Sequence, residues 1–327
     1  MATSAPENLR TFFAERPGLK YVFFGGKGGV GKTVFAGATA LYLAEQGRKV
    51  LLASTNPVHS LSGLLKQDVF GNETQVTGTP LIAIEIDTKD TIIRKKQEIK
   101  GKIEWFLKYA DLSGQRTEDF VESATMNPAF EESAMFERMV DLMFENRYDV
   151  YVFDTAPAAN ARRLLGMSKV YGLWVEKMLA SRNEAATLAK TLSFSKREEQ
   201  DPLLDYLLTF RDRIGKVHKL LTDEQLTSFF FVTLPEALPI AVIKRFIGWF
   251  KDFGIPVGGV IVNGLIDRAL VTDQTHEFVL NRILSQEKYM EEIRRTLPHV
   301  RAVVPRLEHE IQGVERLRET FRYLFGV

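Results

Sequence analysis

A glycine-rich segment near the N-terminus constrains the fold of this chain more than any other feature. Residues 25–33 read Gly-Gly-Lys-Gly-Gly-Val-Gly-Lys-Thr and directly follow the apolar run Tyr21–Phe24. A G-x4-G-K-T spacing after a short apolar run predicts a strand, a phosphate-binding loop and a helix. Small residues let consecutive backbone N–H groups surround a phosphate, and the positive end of the helix dipole adds to the attraction.

The residue types of this loop predict its ligands. Lys32 is placed to bridge the β- and γ-phosphates of a nucleotide, and the hydroxyl of Thr33 is placed to ligate Mg²⁺. Asp154 ends a later apolar run, where a carboxylate can hold the water shell of the same ion. ATP and Mg²⁺ are therefore the predicted cofactors, with Thr33 and Asp154 at the metal. The predicted nucleotide contacts of the loop are Gly26, Gly28, Gly29, Val30, Gly31, Lys32 and Thr33.

The rest of the chain predicts an α/β fold with a doubly wound, mostly parallel sheet. Short β-branched and aromatic runs alternate with helical patterns, which is typical of strand–helix–strand units. The chain has one phosphate loop, which excludes a tandem duplication and predicts a single ATPase domain over residues 1–327. The predicted strands are Tyr21–Phe24, Val50–Ala53, Leu81–Ile86, Val150–Phe153, Phe229–Val232, Gly259–Val262 and Arg301–Val304.

Two helical regions, at about 90–145 and 167–222, interrupt this alternation. Both carry apolar stripes at helical spacing. Ordinary core packing explains each stripe alone, but two insertions that both carry stripes favour an apolar groove for a client helix. Methionine suits such a groove because it is flexible and polarizable. The candidate groove residues are Met135, Met139, Met143, Tyr171, Trp174, Met178, Leu207 and Phe210.

Composition excludes several classes of function. The chain has 43 basic and 42 acidic residues and a net charge of +1, so charge gives no case for nucleic acid as a partner. It lacks an apolar run of the roughly 18–20 residues that span a membrane and an N-terminal secretory signal, so we expect a cytoplasmic protein. Cysteine is absent, which removes disulfides, thiolate zinc sites and thiol ligands for a soft metalloid.

Three motifs together make the chain resemble the family of the arsenite-pump ATPase and the eukaryotic tail-anchored-protein targeting ATPase. Gly25–Thr33 is similar to the family's deviant Walker A motif, whose additional lysine, here Lys27, reaches the nucleotide of a partner subunit. Ser54–Ser60 resembles switch I, and Asp154–Leu165 resembles switch II. The resemblance covers nearly the whole chain and implies an ATP-hydrolysing homodimer. Its implied catalytic residues are Lys27, Lys32, Asn56 and Asp154.

The same resemblance implies an adenine site and a client. Val260–Asn263 is similar to the family's adenine-contacting strand end, and Pro305–Leu307 with Glu310–Gly313 resembles its adenine loop. The helical insertions match the position of the client-binding subdomain, which binds hydrophobic segments such as tail-anchored membrane-protein helices. A transient membrane receptor is compatible with this function. The implied adenine contacts are Asn263, Pro305 and Leu307.

Departures from the family pattern leave three functions open. Asn56 stands where relatives have an aspartate, and an amide holds water without accepting its proton, so hydrolysis should be slow. Pro157–Arg163 replaces the usual Thr-Gly-His-Thr-Leu-Arg, and the metalloid and zinc cysteines are missing. The alternatives are a client carrier, an arsenite or anion-pump ATPase, and a non-hydrolysing ATP-dependent regulator. Turnover separates the first from the third, and metalloid stimulation would favour the second.

Overall fold

One mostly parallel sheet organises the computed structural model, which describes residues 8–55, 60–87, 128–155 and 202–327, with residues 89, 92, 93 and 97. Within these residues the strands have the order β3-β4-β2-β5-β1-β6-β7-β8. Each neighbouring pair is parallel except β3 with β4 at one edge. The strands are β1 (Tyr21–Gly26), β2 (Val50–Ser54), β3 (Thr74–Gln75), β4 (Ile82–Glu85), β5 (Val150–Asp154), β6 (Thr227–Thr233), β7 (Val257–Leu265) and β8 (Val300–Pro305).

The predicted α/β class and doubly wound sheet are confirmed. Every predicted strand is present, with ends that differ slightly from those predicted. The short edge strand β3 was not predicted, because two residues are too few to show a periodic pattern. The described helices are α1 (Leu9–Ala14), α2 (Lys32–Glu45), α3 (Ser60–Leu65), α4 (Pro128–Glu145), α5 (Pro202–Thr222), α6 (Ala237–Asp252), α7 (Glu277–Thr296), α8 (Val314–Glu319) and α9 (Phe321–Leu324), with a 3₁₀ turn at Arg268–Leu270.

Helices cover both faces of the sheet because successive side chains of a strand point to opposite faces. Val22 and Phe24 of β1 belong to the core on one face, with residues of α1, α2, α3, α8 and α9. Tyr21 and Phe23 belong to the core on the other face, with residues of α4, α5, α6 and α7. Both faces of the central strands are therefore dry, as in a doubly wound sheet.

Stacked aromatic rings fix the centre of this sheet. The ring of Phe23 stacks on Phe229 of β6 at 4.3 Å and on Phe153 of β5 at 4.9 Å between centroids. These cross-strand pairs add to the backbone ladders that join β1 to β5 and β6. The ladder sets Phe24 of β1 and Ser54 of β2 beside Asp154 of β5. The carboxyl ends of three neighbouring strands therefore meet where the phosphate loop begins.

The described parts of the two helical insertions pack on the sheet. In α4, Met139 and Met143 are 3% and 1% exposed and belong to the core, and Met135 packs against them. Met139 and Met143 are therefore core residues in this monomer, on the face with which α4 covers the sheet, and their part in a groove of the ATP-bound dimer stays a prediction. Val217 and Leu221 near the end of α5 are buried in the same core.

The remaining groove candidates cannot be placed in the same way. Tyr171, Trp174 and Met178 lie outside the described residues, and Leu207 and Phe210 fall in α5 at positions whose side chains are not described. Their part in a groove stays a prediction. None of the described helices combines the length and the apolar character needed to cross a membrane.

Candidate nucleotide-binding site

Two glycines of the phosphate loop occupy positions that exclude a side chain. Gly26 ends β1 with φ +150°, and a Cβ there would lie 2.4 Å from the carbonyl oxygen of Val232. Gly31 precedes α2 with φ +100°, and a Cβ there would lie 2.7 Å from Nδ2 of Asn263. Residues with a side chain rarely adopt such angles. The two glycines thus allow the loop that joins β1 to α2 to pack closely against β6 and β7.

A hydrogen bond to the phosphate loop positions the side chain of Lys32. Lys32 is the first residue of α2 and is only 8% exposed, and its Nζ donates a hydrogen bond to the carbonyl oxygen of Lys27 at 3.2 Å. Burial lowers the pKa of Lys32, and the nearby Asp154 carboxylate partly offsets that effect. An ammonium that is short of neutralising partners and water is well suited to a phosphate ligand.

Asp154 and two hydroxyls form a buried polar cluster at the strand ends. The Thr33 hydroxyl donates to Oδ2 of Asp154 at 2.7 Å, and the Ser54 hydroxyl donates to the same oxygen at 3.2 Å. Asp154 is 1% exposed, and its Oδ1 has no hydrogen-bond partner among the described residues. Burial raises the pKa of Asp154 to about 6, although the bond from Thr33, the charge of Lys32 and the bond from Ser54 lower it.

This cluster fits Mg²⁺. Hydroxyl, carboxylate and water oxygens are the ligands that Mg²⁺ prefers, and protein Mg²⁺ sites use one or two carboxylates together with substrate phosphates. The unpartnered Oδ1 of Asp154 is the atom that could accept from the ion's water shell, and Thr33 Oγ1 could bind the ion directly. A buried polar atom without a partner is costly, which is explained if a bound ligand supplies the partner.

A cavity of about 690 Å³ extends from this cluster. That volume lies within the roughly 300–1,000 Å³ of small-molecule sites. Its lining includes Gly29 and Thr33 and also the predicted base contacts Asn263, Pro305 and Leu307. Asn263 contacts the phosphate loop directly, because its Nδ2 donates to the carbonyl oxygen of Val30 at 3.0 Å. One cavity thus brings together residues from both ends of the predicted nucleotide site.

Comparison with known proteins agrees with this geometry. The family model described as "Anion-transporting ATPase" matches residues 19–326. The chain belongs to this family. It is 31% identical to a protein named as an arsenical pump-driving ATPase from Aquifex aeolicus (strain VF5), over 94% of this chain and 99% of that one. It is 30% identical to ATPase GET3A of Arabidopsis thaliana, over 97% and 87%. It is 28% identical to ATPase ASNA1 homolog 2 of Paramecium tetraurelia, over 93% of each chain.

Asn56 and Lys27 are the other two residues that the family resemblance implies are catalytic. Asn56 lies outside the described residues, so its role at the attacking water stays a prediction. Lys27 is described, and its backbone carbonyl holds Lys32 while its side chain is partly exposed. Ser60, the last residue of the predicted switch I, has its Oγ 3.4 Å from Oγ1 of Thr33.

Helix α7 supplies cavity residues that the family resemblance did not point to. Gln286 is 6% exposed, and its Oε1 accepts from the backbone N–H of Ile266 at 2.9 Å while its Nε2 donates to the carbonyl of the same residue. Arg282 pairs with Glu236 at 2.7 Å beside the same cavity. A glutamine among the apolar residues Ile283, Met290 and Ile293 was the available sequence signal.

Proposed function

We propose that this chain is an ATPase that binds ATP and Mg²⁺ in the cavity beside Gly26–Thr33 and acts as a homodimer. The observation that carries the proposal is the Thr33–Asp154 pair with the unpartnered Oδ1, at the start of a helix that follows a glycine loop. Mg²⁺ at this pair would neutralise the charge that develops on the phosphates during transfer to water.

Different residues of the site would contact the phosphates and the base. The backbone N–H groups of Gly28–Lys32 would surround the β-phosphate, and Lys32 would supply a positive charge to the phosphates. The Nδ2 of Asn263 donates to the Val30 carbonyl, so its Oδ1 would be the acceptor offered to the base. Pro305 and Leu307 would provide apolar surface for the base.

A second subunit would complete the site through Lys27. The partly exposed side chain of Lys27 is not needed to hold its own loop, because the contact with Lys32 comes from the backbone carbonyl. The proposal is supported by the family resemblance, in which such a lysine reaches the nucleotide of the partner subunit. Light scattering should therefore show a dimer with ATP and Mg²⁺, whereas a monomer under all conditions would contradict this part.

The client of this ATPase is proposed to be a hydrophobic helix, such as that of a tail-anchored membrane protein, released on nucleotide turnover. The core positions of Met139 and Met143 leave Met135 and the predicted residues Tyr171, Trp174, Met178, Leu207 and Phe210 as groove candidates. Photo-crosslinking from position 178, with position 143 as the buried control, would test this groove. No crosslink from position 178 to a single-span hydrophobic segment, or equal crosslinks from both positions, would contradict it.

An arsenical-pump function is the second candidate because one relative is named as a pump-driving ATPase. Trivalent arsenic prefers thiolate ligands, and this chain has no cysteine. Stimulation of turnover by arsenite would favour this function over the client carrier.

The ATPase proposal is tested by a matched pair of threonine variants in α2. Thr33→Ala removes the proposed metal ligand, and Thr39→Ala removes a fully buried threonine two turns farther along the same helix. We expect Thr33→Ala to lower Mg²⁺-dependent hydrolysis by about 10²-fold, the usual order for one lost electrostatic contact in a reaction site. Thr39→Ala should change it little. Equal effects of the two variants would contradict the assignment of Thr33.

A further inference from the structure

Glu85 is a buried carboxylate that the proposed nucleotide chemistry does not use. It ends β4, is 2% exposed and lies beside Ser54 of β2 in the sheet register. Its Oε1 accepts from the backbone N–H of Leu61 at 2.7 Å, and its Oε2 accepts from the hydroxyl of Ser62. Both partners belong to the first turn of α3, so one side chain holds this helix at two points.

The backbone of Glu85 strengthens the same attachment. Its N–H donates to the carbonyl oxygen of Val69 at 2.7 Å, and its carbonyl oxygen accepts from Gly71 at 2.8 Å. The hydroxyl of Ser62 in turn accepts from the N–H of Val69 at 3.2 Å. Glu85 therefore joins α3, the segment after it and the edge of the sheet into one network of hydrogen bonds.

Helix α3 lines the cavity with Ser60, Gly63 and Leu64. At the proposed metal site, Ser60 Oγ lies 3.4 Å from Oγ1 of Thr33. At the other end of the helix, the carbonyl oxygen of Leu64 accepts from the N–H of Gly313 at 2.6 Å. The position of α3 thus bears on the cavity wall and on the surroundings of Thr33.

A carboxylate is expensive to bury, and it is retained here by strong partners. Bonds from a peptide N–H and a hydroxyl to an ionised carboxylate are shorter and stronger than neutral ones. Negative charge is also favourable in the first turn of a helix. Two such bonds to Leu61 and Ser62 restrain both the axial position and the rotation of α3 relative to β4.

We propose that Glu85 is a positioning residue for the nucleotide site, holding Ser60 at the start of α3 against Thr33 at the metal end. This inference rests on the proposed ATP and Mg²⁺ function. It differs from a purely structural cap, because a cap would affect the stability of α3 without changing how the site responds to Mg²⁺.

The test compares Glu85→Ala, Glu85→Gln and Glu73→Ala. Glu73 is a suitable control because it is also a partly buried carboxylate, with bonds from the Tyr148 hydroxyl at 2.6 Å and from Arg147, but at the opposite end of β5 from Asp154. Three quantities are measured: hydrogen–deuterium exchange of residues 60–66, the affinity for a fluorescent ADP without Mg²⁺, and the Mg²⁺ concentration that gives half-maximal ATP binding.

For Glu85→Ala we expect two quantities to rise about tenfold, as for the loss of a hydrogen bond to a charged group. They are the rate of hydrogen–deuterium exchange in α3 and the Mg²⁺ concentration that gives half-maximal ATP binding. The affinity for ADP without Mg²⁺ should change less than about twofold, because the phosphate loop is intact. Glu85→Gln keeps an acceptor for Leu61 and should recover most of both changes. Glu73→Ala should leave all three quantities near the wild-type values.

Several outcomes would overturn the positioning role. One is a Glu85→Ala protein whose exchange rises but whose Mg²⁺ requirement equals that of Glu73→Ala, which would make Glu85 a cap alone. If Glu85→Ala does not fold, Ser62→Ala removes one of the two bonds and should raise the Mg²⁺ requirement about threefold. An unchanged requirement in Ser62→Ala would then count against the proposal. A wild-type protein that binds no nucleotide would instead overturn the proposed function.

Discussion

The proposed phosphate end of the site comes from one stretch of eight residues, which supplies the loop, the lysine and the proposed metal-binding threonine. The proposed base end is assembled from three segments that are distant in sequence. Gly26–Thr33 forms the first end with Asp154. Asn263, Pro305–Leu307 and Gln286 of α7 form the second. A contiguous motif can be recognised from its spacing alone, but an assembled wall depends on the packing of the whole sheet.

The two ends should also differ in what they control. The phosphate end holds charges buried in a low-dielectric environment, where each contact has a large effect on catalysis. The base end holds neutral hydrogen bonds and apolar contacts, which distinguish one base from another with smaller energies. We expect variants at the first end to alter turnover for any nucleotide and variants at the second end to alter the choice of nucleotide.

The largest expected effect belongs to Asn56→Asp at the phosphate end. A carboxylate can accept the proton of the attacking water, whereas the amide in this sequence can only hold it. We expect Asn56→Asp to raise the rate of phosphate release by on the order of 10²–10⁴ with little change in ATP affinity. Single-turnover measurements with saturating ATP separate the two quantities. An unchanged rate would mean that another residue positions the water.

The next largest effect is on ligand affinity, and it compares Lys32→Ala at the phosphate end with Asn263→Ala at the base end. Lys32→Ala should weaken ATP, GTP and inorganic triphosphate alike, by about 10²-fold, since the lost charge acts on phosphates. Asn263→Ala should weaken ATP about tenfold and inorganic triphosphate less than about twofold, because the triphosphate has no base to lose.

Titration calorimetry with the three ligands measures both variants. If Asn263→Ala weakens inorganic triphosphate as much as ATP, the bond from Asn263 to the Val30 carbonyl matters more than any contact with the base. Asn263 would then affect triphosphate binding in general, and the expected difference between the two ends would not hold for this residue.

The smallest expected effect is on stability and comes from Asp154. Its pKa is raised to about 6 in the folded protein from an ordinary value of 3.8, so the folded state binds more protons between these values. Stability of the nucleotide-free protein should therefore rise as pH falls through about 6, and the buried charge is a cost above that pH. Asp154→Asn should raise Tm at pH 7.5 by on the order of 2–4 °C.

This gain in Tm should shrink as the pH approaches 4, where the wild-type carboxyl is neutral. The control is Asp149→Asn, an exposed carboxylate just before the same strand, which should show no such gain. A constant Tm difference between Asp154→Asn and the wild type from pH 7.5 to pH 4.5 would contradict the proposed burial cost. Mg²⁺-dependent ATP binding by the wild type should weaken over the same pH range, because a protonated Asp154 has lost the negative charge that attracts the ion and its water shell.

The sequence predicted local features well and through-space features poorly. The seven apolar runs became strands because short β-branched and aromatic runs bounded by turns leave few alternatives. The base contacts implied by the resemblance, Asn263, Pro305 and Leu307, line one cavity, and their contact with a base stays a prediction. Gln286 and Glu85 were missed because a lone polar residue in an apolar pattern does not reveal its partner. Their bonds, to Ile266 and to the first turn of α3, appear only once the chain is folded.

The apolar stripe of α4 shows what helical periodicity leaves open. Met139 and Met143 have the helical spacing of a binding face, but the same spacing is required of any helix that covers a sheet. Both side chains belong to the core in the structure. Periodicity identifies an apolar face without indicating what covers it, so the remaining groove candidates depend on experiment.

The most direct measurement of the central claim is a crystal structure of the protein with a non-hydrolysable ATP analogue and Mg²⁺. We expect the β- and γ-phosphates on Gly26–Thr33, the metal on Thr33 Oγ1 with its water shell at Asp154, and the base beside Asn263 and Pro305. We also expect Lys27 of a second subunit near the γ-phosphate. A nucleotide bound elsewhere, or a metal that contacts neither Thr33 nor the waters held by Asp154, would contradict the account.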